Sequence, residues 1–299
     1  MIPRMKRTKP IHNRPTAILT GDWHLRETQP IARTDDFWEA QWDKVQQIKE
    51  LQEKYDCPVW MAGDLFHHWK PSPYLLTETI SRLPARMNVV AGNHDLPQHN
   101  MDLLHKSGLQ TLVKAGAVTL LEGTHWGEEP FRGTFLIPSV THDKVIAVWH
   151  VMTYVGEKPW PGCTDLNARQ ILEKYPQFAL ILTGHNHKTF VKEIDGRLLV
   201  NPGSLTRQTT DQINHKPCVF LWYAEDNTVK QVFLKIKPGV ISREHLERAE
   251  KRDARITAFV ERLTGSWKST VSFEDNLERF RQNNQVRSSV MDIVYKSID

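Results

Sequence analysis

The sequence lacks several features that define large classes of protein. It has three cysteines among 299 residues, and no two of them form a Cys-x-x-Cys pair. Such sparse thiols argue against a disulfide framework and against a thiolate zinc site. There is no run of about 18 apolar residues, the length that a membrane span needs, and the basic N-terminus has no apolar signal-peptide core. We therefore expect a globular, cytoplasmic protein with no membrane partner.

A net positive charge is also lacking outside the N-terminus. The formal net charge is +4, but residues 1–15 contain five basic residues and no acidic one, so the rest of the chain is slightly negative. A basic arm of this kind can neutralise nucleic-acid phosphates, and a solvated terminus is the alternative interpretation.

What the sequence does contain is five short apolar segments that each end in metal-binding side chains. The segments lie at residues 17–24, 59–67, 89–95, 145–150 and 180–187. Their β-branched and aliphatic residues are typical of buried strands. Because sites in open α/β sheets lie at the carboxyl ends of the strands, we expect these ends to meet. The side chains brought together would be Asp22, His24, Asp64, Asn93, His94, His150, His185 and His187.

The types of side chain in this set indicate the kind of metal and the number of ions. Carboxylates and imidazoles without thiolates favour manganese, iron or zinc in a reactive site over a structural zinc. The donors exceed what one ion needs, and the Asp-x-His and His-x-His spacings suit loops after strands. Two ions roughly 3.5–4 Å apart can hold a hydroxide between them and clamp a phosphoryl centre. We therefore predict hydrolysis of a phosphoester without a covalent enzyme intermediate.

The order of helical and strand patterns predicts an α/β protein with two sheets sandwiched between helices. Apolar residues recur at helical spacing after Asp35 and Asp36, and a second helix is expected to begin at Ser72 and Pro73. The last 60 residues hold 11 Lys or Arg and 10 Asp or Glu, with the apolar spacing of two or three amphipathic helices. We predict a basic arm over 1–15, a catalytic domain over 16–238 and a helical extension over 239–299.

As an ordered set, these motifs resemble the calcineurin-like metallophosphoesterase superfamily. The series is Asp-x-His, Gly-Asp, Gly-Asn-His-Asp, His and Gly-His-x-His, and the resemblance spans residues 20–204. Residues 63–67, Gly-Asp-Leu-Phe-His, followed by Lys-Pro-Ser-Pro at 70–73, look most like the SbcD/Mre-type DNA repair nucleases. The resemblance implies the metallophosphoesterase fold, a two-sheet β-sandwich flanked by helices, here with a C-terminal helical extension.

The resemblance also implies a division of the ligands between two divalent ions. The first ion would be held by Asp22, His24, Asp64 and His187. The second would be held by Asp64, Asn93, His150 and His185, so that Asp64 bridges the two. Manganese is the favoured metal, with iron, zinc and magnesium as alternatives.

Three further residues take catalytic roles by resemblance. His94 would be the general acid on the leaving oxygen, a role suited to an imidazole near neutral pH. Asp95 would orient it, and His67 would act on or position the substrate phosphate. His68 matches no such position.

Three functional hypotheses follow. The leading one is a two-metal DNA nuclease, an exonuclease in the SbcD/Mre manner, acting on single- or double-stranded DNA. Its candidate protein partners are an SMC-like ATPase, docked on the C-terminal helices, and a second copy of the chain. The alternative is a phosphodiesterase or phosphatase for small molecules such as cyclic nucleotides. The third, a binding module with an inactive site, is disfavoured by the intact ligand set.

Overall fold

The computed structural model describes residues 14–121, 132–137, 144–266 and 272–296, with only the backbone at 132–137 and 262–266. The predicted basic arm therefore lies outside the described residues, apart from its last two positions. Of these, Arg14 donates to the Tyr55 carbonyl over 2.9 Å and pairs with the Asp56 carboxylate. The role of the arm stays a prediction.

Strands and helices alternate through the first part of the chain, as predicted. The described strands are β1 (Ala17–Thr20), β2 (Val59–Met61), β3 (Met87–Val89), β4 (Thr119–Leu120), β5 (Arg132–Ile137), β6 (Lys144–Trp149), β7 (Leu180–Thr183), β8 (Phe190–Ile194), β9 (Arg197–Asn201), β10 (Cys218–Tyr223) and β11 (Thr228–Phe233). The described α-helices are α1 (Phe37–Tyr55), α2 (Pro73–Arg82), α3 (Gly108–Lys114), α4 (Ala168–Lys174), α5 (Glu244–Ser266), α6 (Phe273–Asn284) and α7 (Ser288–Lys296).

The strands form two sheets. One has the order β11-β10-β1-β2-β3-β4, and the other has the order β5-β6-β7-β9-β8. β1, β2 and β3 run parallel, as do β6 and β7, so that the carboxyl ends of neighbours lie side by side. These five strands are the ones that the metal-binding motifs follow. The two sheets and their helices confirm the predicted fold class.

The core has three layers of apolar contacts because side chains alternate between the two faces of each strand. Along β1, Ile18 packs into the cluster that includes Val45 and Ile48 of α1. Its neighbour Leu19 points to the other face, where residues of both sheets such as Val148 pack together. The outer face of the second sheet is covered by α4. The strand ends that carry the metal-binding motifs are therefore held in place by apolar packing on the faces of the sheets.

Local signals set the helix starts. The Asp36 side chain caps α1 by accepting from the Glu39 N–H over 3.1 Å, and Ser72 caps α2 by accepting from the Leu75 N–H over 3.0 Å. Both starts agree with the sequence prediction. Before α3, residues Met101–Lys106 form a 3₁₀ segment. The sequence interpretation missed β8, whose residues are only partly buried and carry no strong apolar pattern.

Most of the described residues between 244 and 296 are helical, as predicted. α5, α6 and α7 belong to a compact unit that begins at Ser242, while the two sheets belong to a unit that ends at Ile241. Within the second unit the rings of Phe259 and Phe280 pack edge to face at 5.5 Å. The domain boundaries at residues 15 and 238 stay predictions. Among the described helices, none has both the length and the hydropathy to cross a bilayer.

Candidate metal centre

The loops after β1 and β2 run side by side beyond the ends of their strands. The Asp22 N–H donates to the Gly63 carbonyl over 3.1 Å, and the His24 N–H donates to the Asp64 carbonyl over 2.9 Å. This extension of the sheet pairing places the three side chains Asp22, His24 and Asp64 at one point, with exposures of 0%, 4% and 1%. The first two motifs of the sequence thus form a buried floor.

The backbone at this floor is held in an unusual conformation. Asp22, His24 and Asp64 have φ of 50°, 49° and 54°, and His185 has φ of 76°. Non-glycine residues in the left-handed region cost of order 1–3 kcal/mol each and persist where the surrounding structure over-determines them. The repeated use of this conformation at four candidate ligands indicates that the loops are shaped for the site rather than for stability.

Glycine is required where the loops approach most closely. A Cβ added at Gly92 would overlap the Asp64 carboxylate, and one added at Gly63, with φ of 84°, would overlap the His150 ring. The Gly-Asp and Gly-Asn-His-Asp motifs therefore need glycine for packing between loops that are distant in the sequence.

Asp64 lies between two groups of donors. Its Oδ2 atom is 3.5 Å from Nε2 of His24 and 3.3 Å from Nε2 of His150. Its Oδ1 atom accepts from the backbone N–H of His94 over 2.9 Å, which fixes the carboxylate plane. One carboxylate therefore faces two imidazoles from opposite sheets.

The first group of donors surrounds His24. Its Nε2 atom is 3.0 Å from Nε2 of His187, which in turn is 3.9 Å from Oδ1 of Asp22. Donor atoms of these three residues all lie within 4.8 Å of one another. Together with Asp64, they are the residues expected to hold the first ion.

The second group surrounds His150. Its Nε2 atom is 3.0 Å from Oδ1 of Asn93, and Nδ1 of His185 is also 3.0 Å from that oxygen. The Nδ1 atom of His150 contacts the Ala62 carbonyl at 2.8 Å, which leaves Nε2 as the nitrogen that faces the centre. The four residues expected to hold the second ion are therefore brought together as well.

The donor set fits divalent metal ions. Oδ2 of Asp22 is buried and has no hydrogen-bond partner. Buried polar atoms without partners are costly, and the facing Nε2 atoms of His24 and His187 can share at most one proton between them. Bound cations would satisfy these groups, and the absence of thiolate in the set agrees with a hard or borderline ion.

Electrostatics couple the buried acids to the imidazoles. Burial alone would raise the pKa of Asp64, but the adjacent His150 ring holds it below its usual range. Burial would lower the pKa of His150, and the Asp64 carboxylate raises it to about 9. Burial lowers the pKa of His24 well below its ordinary value, so its imidazole is neutral, as a ligand must be. Binding of a cation at Nε2 of His150 would release the proton that this ring holds in the metal-free protein.

His94 and His67 lie on the open side of the centre. The His94 ring packs edge to face on His24 at 4.8 Å, and its Nδ1 atom contacts the His67 carbonyl at 2.8 Å. The His67 ring centroid is 5.5 Å from that of His94. Burial and the nearby Arg26 guanidinium lower the pKa of His67 to about 4, which keeps this ring neutral. Both rings line the open cavity in front of the donors.

Asp95 is expected to orient His94, and this expectation is wrong as a direct contact, because its carboxylate bonds elsewhere. Its carboxylate accepts from the N–H groups of Phe66 at 2.9 Å, Gly92 at 3.0 Å and Leu65 at 3.2 Å. The His94 ring is oriented by the His67 carbonyl instead. Asp95 therefore holds together the two loops that carry Asp64 and Asn93, a structural task at the site.

The cavity also contains residues that the sequence analysis did not single out. A space of about 420 Å³ in front of His24 and His94 is bounded by Arg26, Gln208 and Gln212. Arg26 stands two residues beyond His24, so the spacing of the first motif could have identified it. Gln208 and Gln212 follow the Gly-Ser turn at 203–204, and no local pattern distinguishes them from surface glutamines.

Comparisons with solved structures return proteins of remote sequence. One is an archaeal phosphodiesterase, with 15% identity, 73% of this chain and 99% of that chain covered, and a TM-score of 0.42. Another is a conserved uncharacterized protein and predicted phosphoesterase from Streptococcus pneumoniae TIGR4, with 14% identity, coverage of 76% and 95%, and a TM-score of 0.34. A third is vacuolar protein sorting 29 of Cryptosporidium parvum, with 16% identity, coverage of 74% and 97%, and a TM-score of 0.36.

Curated proteins give no sequence match. The match that decides the family is the model of the calcineurin-like phosphoesterase superfamily domain, which aligns with residues 18–221. This segment holds every donor described above and covers most of the chain. The protein therefore belongs to the calcineurin-like phosphoesterase superfamily.

Proposed function

We propose that this phosphoesterase is a two-metal phosphodiester hydrolase that acts on DNA, in the manner of the SbcD/Mre-type nucleases. The observation that carries the proposal is the position of Asp64, whose Oδ2 atom lies within 3.5 Å of both His24 and His150. Two bound divalent ions, for which we propose manganese, would supply Lewis-acid polarisation of the phosphoryl group and an activated water. Asp22, His24, Asp64 and His187 would hold one ion. Asp64, Asn93, His150 and His185 would hold the other.

The leaving oxygen needs a proton, and we propose that His94 supplies it. Its Nδ1 atom is engaged by the His67 carbonyl at 2.8 Å, so Nε2 is the atom that transfers the proton. The hydrogen bond from its own backbone N–H to Asp64 fixes the ring beside the metal ligands. Positioning of this kind lets the acid act without a slow rearrangement.

The choice of DNA rests on the segment that carries His67. The residues that match the nuclease branch in sequence are the ones that deliver this ring to the cavity, where its centroid lies 5.8 Å from that of His24. Arg26 lines the same cavity and adds a cation that favours phosphate. A neutral imidazole together with a guanidinium is suited to hold a phosphodiester backbone.

A small-molecule phosphodiesterase is the second candidate. The turn at residues 201–204, Asn-Pro-Gly-Ser, looks like that of small phosphodiesterases, and Ser204 lines the cavity of about 420 Å³. A space of that size suits a ligand of drug or nucleotide size. Cyclic nucleotides would then be the natural class of substrate.

The two candidates are separated by a direct comparison of substrates. End-labelled single- and double-stranded DNA, bis-p-nitrophenyl phosphate and cyclic nucleotides are incubated with the manganese-loaded protein. We expect release of mononucleotides from one end of the DNA. An Asp64→Ala protein purified in the same way controls for contaminating nucleases. If the small substrates turn over and DNA never does, the nuclease proposal fails and the second candidate stands.

The assembly and location of the protein are further proposals. We propose that the C-terminal helices dock an SMC-like ATPase, with a homodimer as the alternative. In support, the surface of this unit exposes Ile256 at 54% and Val290 at 41%. We also propose a cytoplasmic location, in keeping with the three buried free cysteines. Light scattering of the purified chain, alone and mixed with such an ATPase, tests the assembly.

A further inference from the structure

A second depression adjoins the metal centre. It has a volume of about 360 Å³ and shares two wall residues, His187 and Gln212, with the cavity in front of His24. It continues from these shared residues to Phe233 at the end of β11. The two spaces therefore lie next to each other and meet at these two residues, one of which is the proposed metal ligand His187. We call this second space the Phe233 groove.

The floor of the Phe233 groove is rigid. The His215 ring contacts the Ser204 carbonyl at 2.7 Å, and the Thr189 hydroxyl donates to the Pro202 carbonyl over 2.8 Å. Gln231 donates to the Cys218 sulfur over 3.2 Å, which ties the outer strand to its neighbour. Each contact joins the groove to the turn or strand beneath it, so the groove exists before any ligand arrives.

The far wall of the groove presents an aromatic ring to solvent. Phe233 is 58% exposed although it belongs to a paired strand, in register with Cys218. An exposed phenylalanine gains little from folding, because the hydrophobic contribution depends on area removed from water. A ring on a rigid edge strand, beside a catalytic cavity, is suited to stack on a flat ligand.

The charge of the groove favours an anion. Lys188 and Lys216 line it and are exposed, against one acidic side chain, Asp211. Asn214 and Gln231 add amide groups that can donate to phosphate or to base edges. Lysines that follow a backbone, together with an aromatic platform, are the combination found in proteins that bind single strands without sequence preference.

We infer that the Phe233 groove binds the nucleotides next to the scissile phosphate of a single DNA strand. Phe233 stacks on a base, and Lys188 and Lys216 contact the flanking phosphates. The strand then passes His187 and enters the catalytic cavity, so that the groove sets the register of cleavage. This inference rests on the proposed function and narrows its substrate to a strand that is single at the groove.

The first test measures binding in the absence of turnover. Anisotropy of a fluorescein-labelled oligothymidylate is recorded with the full chain in EDTA, so that no cleavage occurs. Because Phe233→Leu removes the ring on which a base would stack, it is expected to weaken binding about tenfold. Phe233→Trp keeps a stacking ring and is expected to retain the affinity, which separates stacking from a general effect on the fold.

The lysines are tested by salt dependence. Each phosphate contact on a single strand contributes about 0.7 to the slope of log K against log salt. Lys188→Ala and Lys216→Ala are each expected to reduce the slope by that amount. Lys230→Ala is the matched control, since Lys230 is an exposed lysine of β11 outside the groove. Its slope is expected to equal that of the unchanged protein.

Kinetics distinguish failure of the inference from failure of the proposed function. With manganese, Phe233→Leu is expected to lower the ratio of kcat/KM for oligothymidylate to that for bis-p-nitrophenyl phosphate about tenfold. Unchanged affinity, unchanged salt slopes and an unchanged ratio in the groove variants would overturn the inference while phosphodiester hydrolysis stands. A metal-loaded protein that cleaves neither substrate would overturn both.

Discussion

The metal centre has a buried floor and an open rim, which differ in how they are held. On the floor, Asp22, Asp64 and His150 are at most 3% exposed, and each bonds to a backbone group of another loop. On the rim, His185 and His187 are exposed. Their rings contact other side chains of the centre, Asn93 and His24 respectively.

This difference indicates that the floor residues stabilise the fold as well as form the candidate metal site. A buried carboxylate that accepts backbone hydrogen bonds contributes to the stability of the fold. Its loss leaves a buried N–H without a partner. A rim imidazole contacts other ligands and little else. Substitutions on the floor should therefore affect metal binding and folding together, while those on the rim should affect the site alone.

The largest effect is expected at Asp64, where the floor is shared between both groups of donors. Asp64→Ala removes the carboxylate that faces His24 and His150, so both ions lose a ligand and turnover of any phosphodiester should fall to background. Metal analysis of the purified variant should show loss of bound manganese. A variant that kept both ions would show that Asp64 does not bridge them.

Substitution of His94 should affect turnover without affecting metal binding. His94→Ser should lower kcat by about 10²–10⁴, the usual contribution of a general acid, while the metal content stays near that of the unchanged protein. His68→Ser is the matched control, because His68 is an exposed neighbouring histidine for which no site role is expected. Equal metal loss in His94→Ser and Asp64→Ala would show that His94 is a ligand instead.

The sequence could predict the floor because its signals are local. An apolar run that ends in Gly-Asp or Gly-Asn-His-Asp specifies a strand and the donor after it, and parallel pairing then brings the donors together. β8 was missed because it lies at the edge of its sheet and is only partly buried, so its pattern resembles that of a loop.

The role of Asp95 could not be predicted from its position beside His94. Residues 93–95 form a 3₁₀ turn, in which consecutive side chains point about 120° apart. Asp95 therefore reaches the backbone of Leu65 and Phe66 while His94 faces the cavity. The Phe233 groove was also beyond sequence reasoning, since Phe233 belongs to one sheet and His187 follows a strand of the other.

A smaller effect is expected where the packing of the floor is disturbed without loss of a ligand. Gly92→Ala would place a Cβ against the Asp64 carboxylate and displace it. This displacement should lower kcat/KM about 10- to 100-fold, the usual effect of changing a residue that positions a metal ligand. Gly21→Ala is the control, because a Cβ there meets Ala62 at an ordinary 3.5 Å. Similar losses in both variants would mean that the close approach at Gly92 is not what positions Asp64.

The last test compares a floor residue with a rim residue by protein stability alone. In metal-free protein, His150→Ala should lower the free energy of unfolding by about 2–4 kcal/mol, because it opens a buried cavity and leaves the Ala62 carbonyl without its contact. His187→Ala should cost about 1 kcal/mol or less, since its side chain is 42% exposed and gives up only its contacts with His24 and, at 3.9 Å, with Asp22. Urea unfolding in EDTA measures both. Equal losses would remove the distinction between floor and rim, since the rim imidazole would then support the fold as much as the buried one does.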